Sequence, residues 1–134
     1  MKKPTLRSLK NKAWKLVSEY VRRKEADAGG FVGCYTCGAP LHWKLEAQAG
    51  HAIPGRHNAV LYDLEIIRPQ CYRCNCAMGG RYEVFVAKLI RENGLDWFEE
   101  KLVKAREAVK LTRSDLEDLI NQFKQKLESL NAQP

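Results

Sequence analysis

Two cysteine pairs carry the clearest chemistry in this chain. Cys34-x2-Cys37 and Cys71-x2-Cys74 are separated by 33 residues. A C-x2-C turn delivers two sulfurs to one point, and two such turns supply the four thiolates of a tetrahedral zinc site. Tyr35 and Thr36 fill the first knuckle, Tyr72 and Arg73 the second. Four sulfur ligands leave no open coordination position, so the zinc expected here is structural, and the segment around it should unfold without metal. The fifth cysteine, Cys76, is read as a small buried thiol that could also replace Cys74 as a ligand. Directly after the second pair stands Asn75, and between the pairs, in "QAGHAIPGRHNAVLYDLEIIRPQC", stands His51. Taken alone, Asn75 suits a helix N-cap and His51 a hydrogen-bonded structural role.

The elements that must position these residues follow from periodicity. From Thr5 to about Ala26, Leu6, Leu9, Ala13, Leu16, Val17 and Tyr20 recur at helical spacing with Lys and Arg between them, which predicts an amphipathic basic helix ended by Gly29-Gly30. Residues 31–76 are short Gly- and Pro-punctuated segments with β-branched and aromatic residues, the pattern of hairpins. Helical period returns beyond Gly79-Gly80 with Phe85, Val86, Leu89 and Ile90, and Asn93-Gly94 stops it. A second helix should follow, with Asp96 and Glu99 approximating a capping box and Phe98, Leu102, Ala105 and Val109 on one face. Thr112 opens a third, whose Leu116, Leu119, Ile120, Phe123, Leu127 and Leu130 form a near-heptad stripe suited to the core or to a homodimer seam. The organisation expected is a single domain, 1–134, made of a basic helical arm (1–28), a zinc-stapled core (31–93) and C-terminal helices (95–131).

Charge is concentrated at one end. The net charge is +7, and residues 1–24 hold nine Lys and Arg against the single acid Glu19, so the remainder is close to neutral. Nine cations in so short a span are either a solvated face or a surface for nucleic-acid phosphates. No apolar run is long enough to cross a bilayer or to serve as a secretory signal, which points to a cytoplasmic protein. Reduced thiols in that compartment favour metal ligation over disulfides.

Cys34-x2-Cys37, Ala49-Gly50-His51, Gln70-Cys71-x2-Cys74-Asn75, Gly79-Gly80 and the helix "EVFVAKLIRENG" together resemble the NinG/Rap recombination nucleases of lambdoid phages over about residues 31–105. They are similar, more distantly, to the endonuclease VII resolvases of the HNH group. The resemblance implies an α+β fold: a small zinc-stapled ββα-metal (HNH-like) core flanked by an N-terminal basic helix and C-terminal helices. It also implies a metal-dependent DNA endonuclease acting on branched recombination intermediates such as Holliday junctions or D-loops, in the host cytoplasm for a phage-encoded chain. By the same carry-over His51 is the general base and Asn75 an oxygen ligand to a catalytic Mg2+ or Mn2+. Gly50 stands where many HNH nucleases carry an acid, so Glu46, Asp63 and Glu65 are candidates for the carboxylate. Ile66 replaces the middle asparagine of the pattern; Asn58 is the candidate substitute, and His57-Asn58 is placed to touch the scissile phosphate. Two rival classes remain: a non-catalytic zinc-stabilised DNA-binding or recombination-accessory module, and a zinc-stabilised protein-interaction domain.

Overall fold

In the computed structural model, which describes residues 2–55 and 57–132, helix α1 (Leu6–Arg23) starts where the Thr5 hydroxyl accepts a hydrogen bond from the Ser8 amide at 3.0 Å. It buries Leu9, Ala13, Val17 and Val21, one residue per turn on a single line, while Leu6 stays exposed. The helix stops at Arg23, before Ala26 and well before the Gly29-Gly30 pair.

That buried line packs on the last helix, α4 (Arg113–Asn131). Thr112 caps α4 with a full capping box, its side chain taking the Asp115 amide while the Asp115 carboxylate takes the Thr112 amide. Leu116, Ile120, Phe123 and Leu127 form the buried stripe, and Leu9 and Ala13 meet Leu116 and Ile120 while Val17 and Val21 meet Phe123. At one end Arg113 donates to the Pro4 carbonyl; at the other Arg23 donates to the Asn131 side chain. The two helices therefore run parallel, and the stripe with the look of a dimer seam is covered by α1 of the same chain.

Between these helices lie two antiparallel ribbons. β1 (Phe31–Gly33) pairs with β2 (Pro40–His42), and β3 (Gln48–His51) pairs with β4 (Ile67–Gln70), with Gly50 opposite Arg68 and His51 opposite Ile67. A single 3-10 turn, Leu64–Ile66, leads into β4, and a π-type turn, Arg73–Ala77, leaves it. Helix α2 (Tyr82–Asn93) ends at Gly94, whose φ of 96° only glycine adopts without strain. Helix α3 (Leu95–Ala105) begins on that same Gly94, so the Asp96–Glu99 box does not form; Asp96 instead sits in the first turn, where its charge suits the helix dipole. Phe85, Leu89, Phe98 and Ala105 close over Ala52, Ile53, Val60 and Ile66 to make one core, and a second, smaller one surrounds the cysteines. The architecture is thus mixed α+β, with the β3–β4 ribbon backed by α1 on one side and the cysteine turns on the other.

Leu116 has no exposed surface and touches both helices of the parallel pair. Leu116→Ala is expected to lower unfolding free energy by about 2–5 kcal/mol in a urea titration of the metal-loaded protein. A loss below about 1 kcal/mol would mean that the stripe is not core.

Candidate functional site: a four-cysteine centre and the ribbon beside it

The cysteines converge. Cys34 follows β1, Cys37 lies in the β1–β2 turn, Cys71 follows β4 and Cys74 sits in the π-type turn; their four sulfurs all lie within 4.8 Å of one another. Cys37 and Cys71 Sγ are 3.8 Å apart, close to the edge of a tetrahedron with zinc–sulfur bonds of about 2.3 Å. The Cys71 amide donates to Cys34 Sγ (3.3 Å), the Cys74 amide to Cys71 Sγ (3.4 Å), and the Arg81 guanidinium to Cys74 Sγ (3.9 Å). Donors aimed at sulfur disperse thiolate charge, so the donor set and its surroundings fit a structural zinc ion.

The thiols' own titration points the same way. Burial pushes the Cys34 thiol up, but hydrogen bonds from the Thr36 hydroxyl and from the amides of Cys71, Cys37 and Thr36 outweigh it and bring its pKa to about 6. At Cys37 the Ala39 amide favours the thiolate, yet burial and the neighbouring thiols of Cys34, Cys71 and Cys74 push it up to about 12. Burial also raises Cys71. One negative charge is welcome in this cluster and further ones are resisted, which is the electrostatics of a dication site.

Arg81 reaches Cys74 from a strained position, with φ of 47° and no glycine freedom. Cys76 is exposed, contrary to the buried thiol expected, because the π-type turn points it outward; its Sγ lies 3.3 Å from Gln48 Oε1.

Asn75 lies inside the π-type turn and caps no helix, since α2 starts only at Tyr82. Its Nδ2 donates to Gln48 Oε1 at 2.8 Å, tying the cysteine turn to β3. Strand alternation sends Gln48 and Gly50 to this face. A Cβ on Gly50, the position at which an acid is expected, would stand 3.1 Å from Asn75 Oδ1 but 1.8 Å from Gln70 Oε1. Gln70 is fully buried; its Nε2 donates to Thr36 Oγ1 and the Gly80 carbonyl, while Oε1 has no hydrogen-bond partner. The carboxamide of Gln70 thus fills the place an acidic side chain would need.

Ala49 and His51 face the other way, onto α1. His51 stacks on Trp14, ring centroids 4.6 Å apart and planes 23° apart, and its Nε2 lies 2.9 Å from the Leu61 carbonyl oxygen. His51 and Asn75 therefore occupy opposite faces of the ribbon, and the expected meeting of the two side chains at one cation does not occur. A carbonyl can only accept, so Nε2 carries the proton and Nδ1 keeps its lone pair.

The remaining candidates are dispersed. Asp63 and Glu65 bind the Lys101 ammonium at 2.7 and 2.8 Å, and Lys101, held above its usual pKa against the opposing cost of burial, is nearly enclosed there. Glu46 accepts from the His42 amide at 2.9 Å in the turn after β2. Asn58 donates to the Val109 carbonyl at 2.9 Å and so braces the segment after α3. His57 is exposed and lies over Gly55. Among the described residues the four cysteines are the one group of three or more His, Cys, Asp or Glu that could hold a metal. Mg2+ and Mn2+ are ordinarily held through carboxylates, and none reaches Asn75, so the side chains present do not fit a protein-built catalytic site for either ion.

Gln70, Arg81, Trp14 and Lys101 were not assigned these roles from sequence. Gln70 stood within the quoted cysteine motif and Trp14 lay off the apolar line of α1, but a positive φ at Arg81 and an ion pair spanning 38 residues leave no local trace.

Over residues 2–133 the chain matches a family model described as Bacteriophage Lambda NinG protein. No curated protein and no solved structure matches it.

Purified protein is expected to hold one zinc per chain by metal analysis, and Cys34→Ser or Cys74→Ser to lose it together with cooperative melting. Zinc displaces protons from Cys37 and Cys71, whose thiols hold them above the ordinary range, so acidification must weaken binding. A chelator-competition series from pH 8 to pH 5 should show affinity falling throughout; a flat profile would exclude thiolate ligation. Separately, Lys101→Met leaves Asp63 the more distant Lys104 ammonium at 3.8 Å and the Glu65 amide, and should cost about 1–3 kcal/mol at neutral pH, read by urea denaturation.

Proposed function

The chain belongs to the NinG family of bacteriophage proteins, and on that premise we propose that it is a DNA endonuclease that hydrolyses phosphodiester bonds with His51 as general base. The hydrogen bond between His51 Nε2 and the Leu61 carbonyl carries this reading. It fixes the tautomer and the plane of the ring, leaving Nδ1, without a partner among the described residues, as the atom that accepts a proton. Stacking on Trp14 holds the other degree of freedom. When Nδ1 takes a proton from water, the new hydroxide attacks phosphorus, the bond to the leaving oxygen breaks, and that oxygen takes a proton from solvent water to leave as a hydroxyl. The imidazolium so formed then hydrogen-bonds more strongly to Leu61, because its Nε2–H has become charged.

The zinc ion that the four cysteines would hold serves as scaffold: it locates β4 and the π-type turn against the β1–β2 ribbon. No catalytic step is assigned to Mg2+ or Mn2+, and the cleavage assay treats the cation as a variable. Branched recombination intermediates are the substrate class that the NinG/Rap resemblance implies, so a four-way junction is the first substrate to test.

A second reading, a non-catalytic zinc-stabilised DNA-binding or recombination-accessory module, is favoured by a specific observation. The space beside Asn75 that an acid would need is filled by Gln70, and Asp63 and Glu65 are committed to Lys101.

Labelled four-way junction, matched duplex and supercoiled plasmid incubated with Mg2+, Mn2+ or EDTA distinguish the two. Wild type is expected to cut, and His51→Ala to cut about 10²–10⁴-fold more slowly with zinc content and circular dichroism unchanged. Binding without cleavage by wild type in every condition would leave the accessory module.

A further inference from the structure

Resting on the reading of His51 as base, we propose that α1 supplies a phosphodiester-binding subsite to the cavity over His51, in which Lys10 and Asn11 hold a nucleic-acid phosphate beside the phosphodiester attacked by the water that His51 deprotonates. A cavity of about 550 Å³ opens over His51, and its walls include Lys10, Asn11, Trp14, Leu61 and Tyr62. Trp14 brings α1 to this place by stacking on the imidazole. Lys10 and Asn11 lie four and three residues before it, so they share its helix face and stand one turn along, at the cavity wall.

The helix is fixed there rather than tethered. Tyr62 donates its hydroxyl proton to the Lys10 carbonyl at 3.0 Å, and the opposite face of α1 is buried on α4. The Lys10 ammonium and the Asn11 carboxamide nonetheless make no hydrogen bond or ion pair with any described residue. A fixed cation and an amide donor, both uncommitted and both lining a cavity with an aromatic wall, match the phosphate and the flat base of one nucleotide.

The basic residues of α1 divide accordingly. At its C-terminal end Arg22 donates to the Trp43 carbonyl at 2.8 Å, and Arg23 pairs with Glu19 at 2.9 Å and stacks over the Trp43 ring, 4.9 Å from its centroid. Those two guanidiniums hold the β1–β2 ribbon to the helix. Lys2, Lys3, Arg7, Lys10, Lys12 and Lys15 have no such partners, and their end of the helix is the one beside His51.

Full-length zinc-loaded protein carrying His51→Ala removes cleavage and allows affinity for a fluorescein-labelled four-way junction to be measured from 50 to 200 mM KCl. Lys10→Gln and Asn11→Ala, added to it singly, are expected to weaken binding about 3- to 30-fold. Lys10→Gln should also reduce the slope of log affinity against log salt by about one. Lys124→Gln, an exposed charge on α4, is the control. Equal slopes and affinities for the Lys10 and Lys124 variants, both with intact zinc content and dichroism, would overturn the proposal. Inorganic phosphate replacing chloride at matched ionic strength should not displace the junction; phosphate-specific displacement would mark a free-phosphate site and overturn the nucleic-acid assignment. Because the readout is binding, the subsite stands if wild type never cuts but the Lys10 loss persists. It falls if wild type cuts and that loss is missing.

Discussion

Four sulfurs drawn to one point are the constraint on which the ribbon region depends. The local core around them has Val32, Cys34, Leu41, Ala47 and Cys74 as its buried residues, with Trp43 packed against it, and two of those five belong to the cysteine cluster itself. So few small side chains bury too little apolar surface to offset the ordering of two turns and a ribbon. A structural zinc held by the four thiolates would contribute about 10–16 kcal/mol, more than that patch can supply. From the cysteine turns the order spreads by hydrogen bonds: Tyr35 N–H to the Pro69 carbonyl, Gln70 to Thr36, Asn75 to Gln48. Each links one cysteine turn to the β3–β4 ribbon, so the placement of His51 at the ribbon's end follows from the metal frame without His51 touching it.

Gly50 and Gln70 form a pair in which each residue type requires the other. Any side chain on Gly50 would enter the volume of the Gln70 carboxamide, and without that carboxamide the Gly80 carbonyl and the Thr36 hydroxyl would lose their donor. The Gln70 oxygen, without a hydrogen-bond partner among the described residues, lies on the Gly50 side. An acid at position 50 therefore requires the Gln70 carboxamide to move.

Much of this was legible beforehand. Two C-x2-C turns are a local signal with one dominant physical meaning, and the cysteines meet as their spacing requires. The helices from Thr5, beyond Gly80 and from Thr112 announced themselves through period and caps, and Gly94 ended α2 where its φ dictates. What failed depended on side-chain direction. Asn75 and His51 are close to the frame in sequence, but which face of a two-stranded ribbon each takes is set by alternation from a register that sequence does not print. Asp63 and Glu65 looked available because Lys101, which claims them, is far along the chain. The stripe on α4 was read correctly as apolar, but its partner, α1, lies about a hundred residues away.

The parallel pairing of α1 with α4 sets an order of assembly. Arg23 meets Asn131 and Pro4 meets Arg113, separations of 108 and 109 residues. During synthesis the four thiols can meet and β3 can pair with β4 as soon as Cys74 has emerged, since those partners are by then all finished chain. Helix α1 already has its ribbon contacts available at that stage, Trp14 on His51 and Arg22 on the Trp43 carbonyl, but the line formed by Leu9 and Ala13 has no cover until α4 is made. The order of events on the ribosome is therefore ribbon first and helix seam last, so a half-made copy exposes the apolar line of α1 until its final helix arrives.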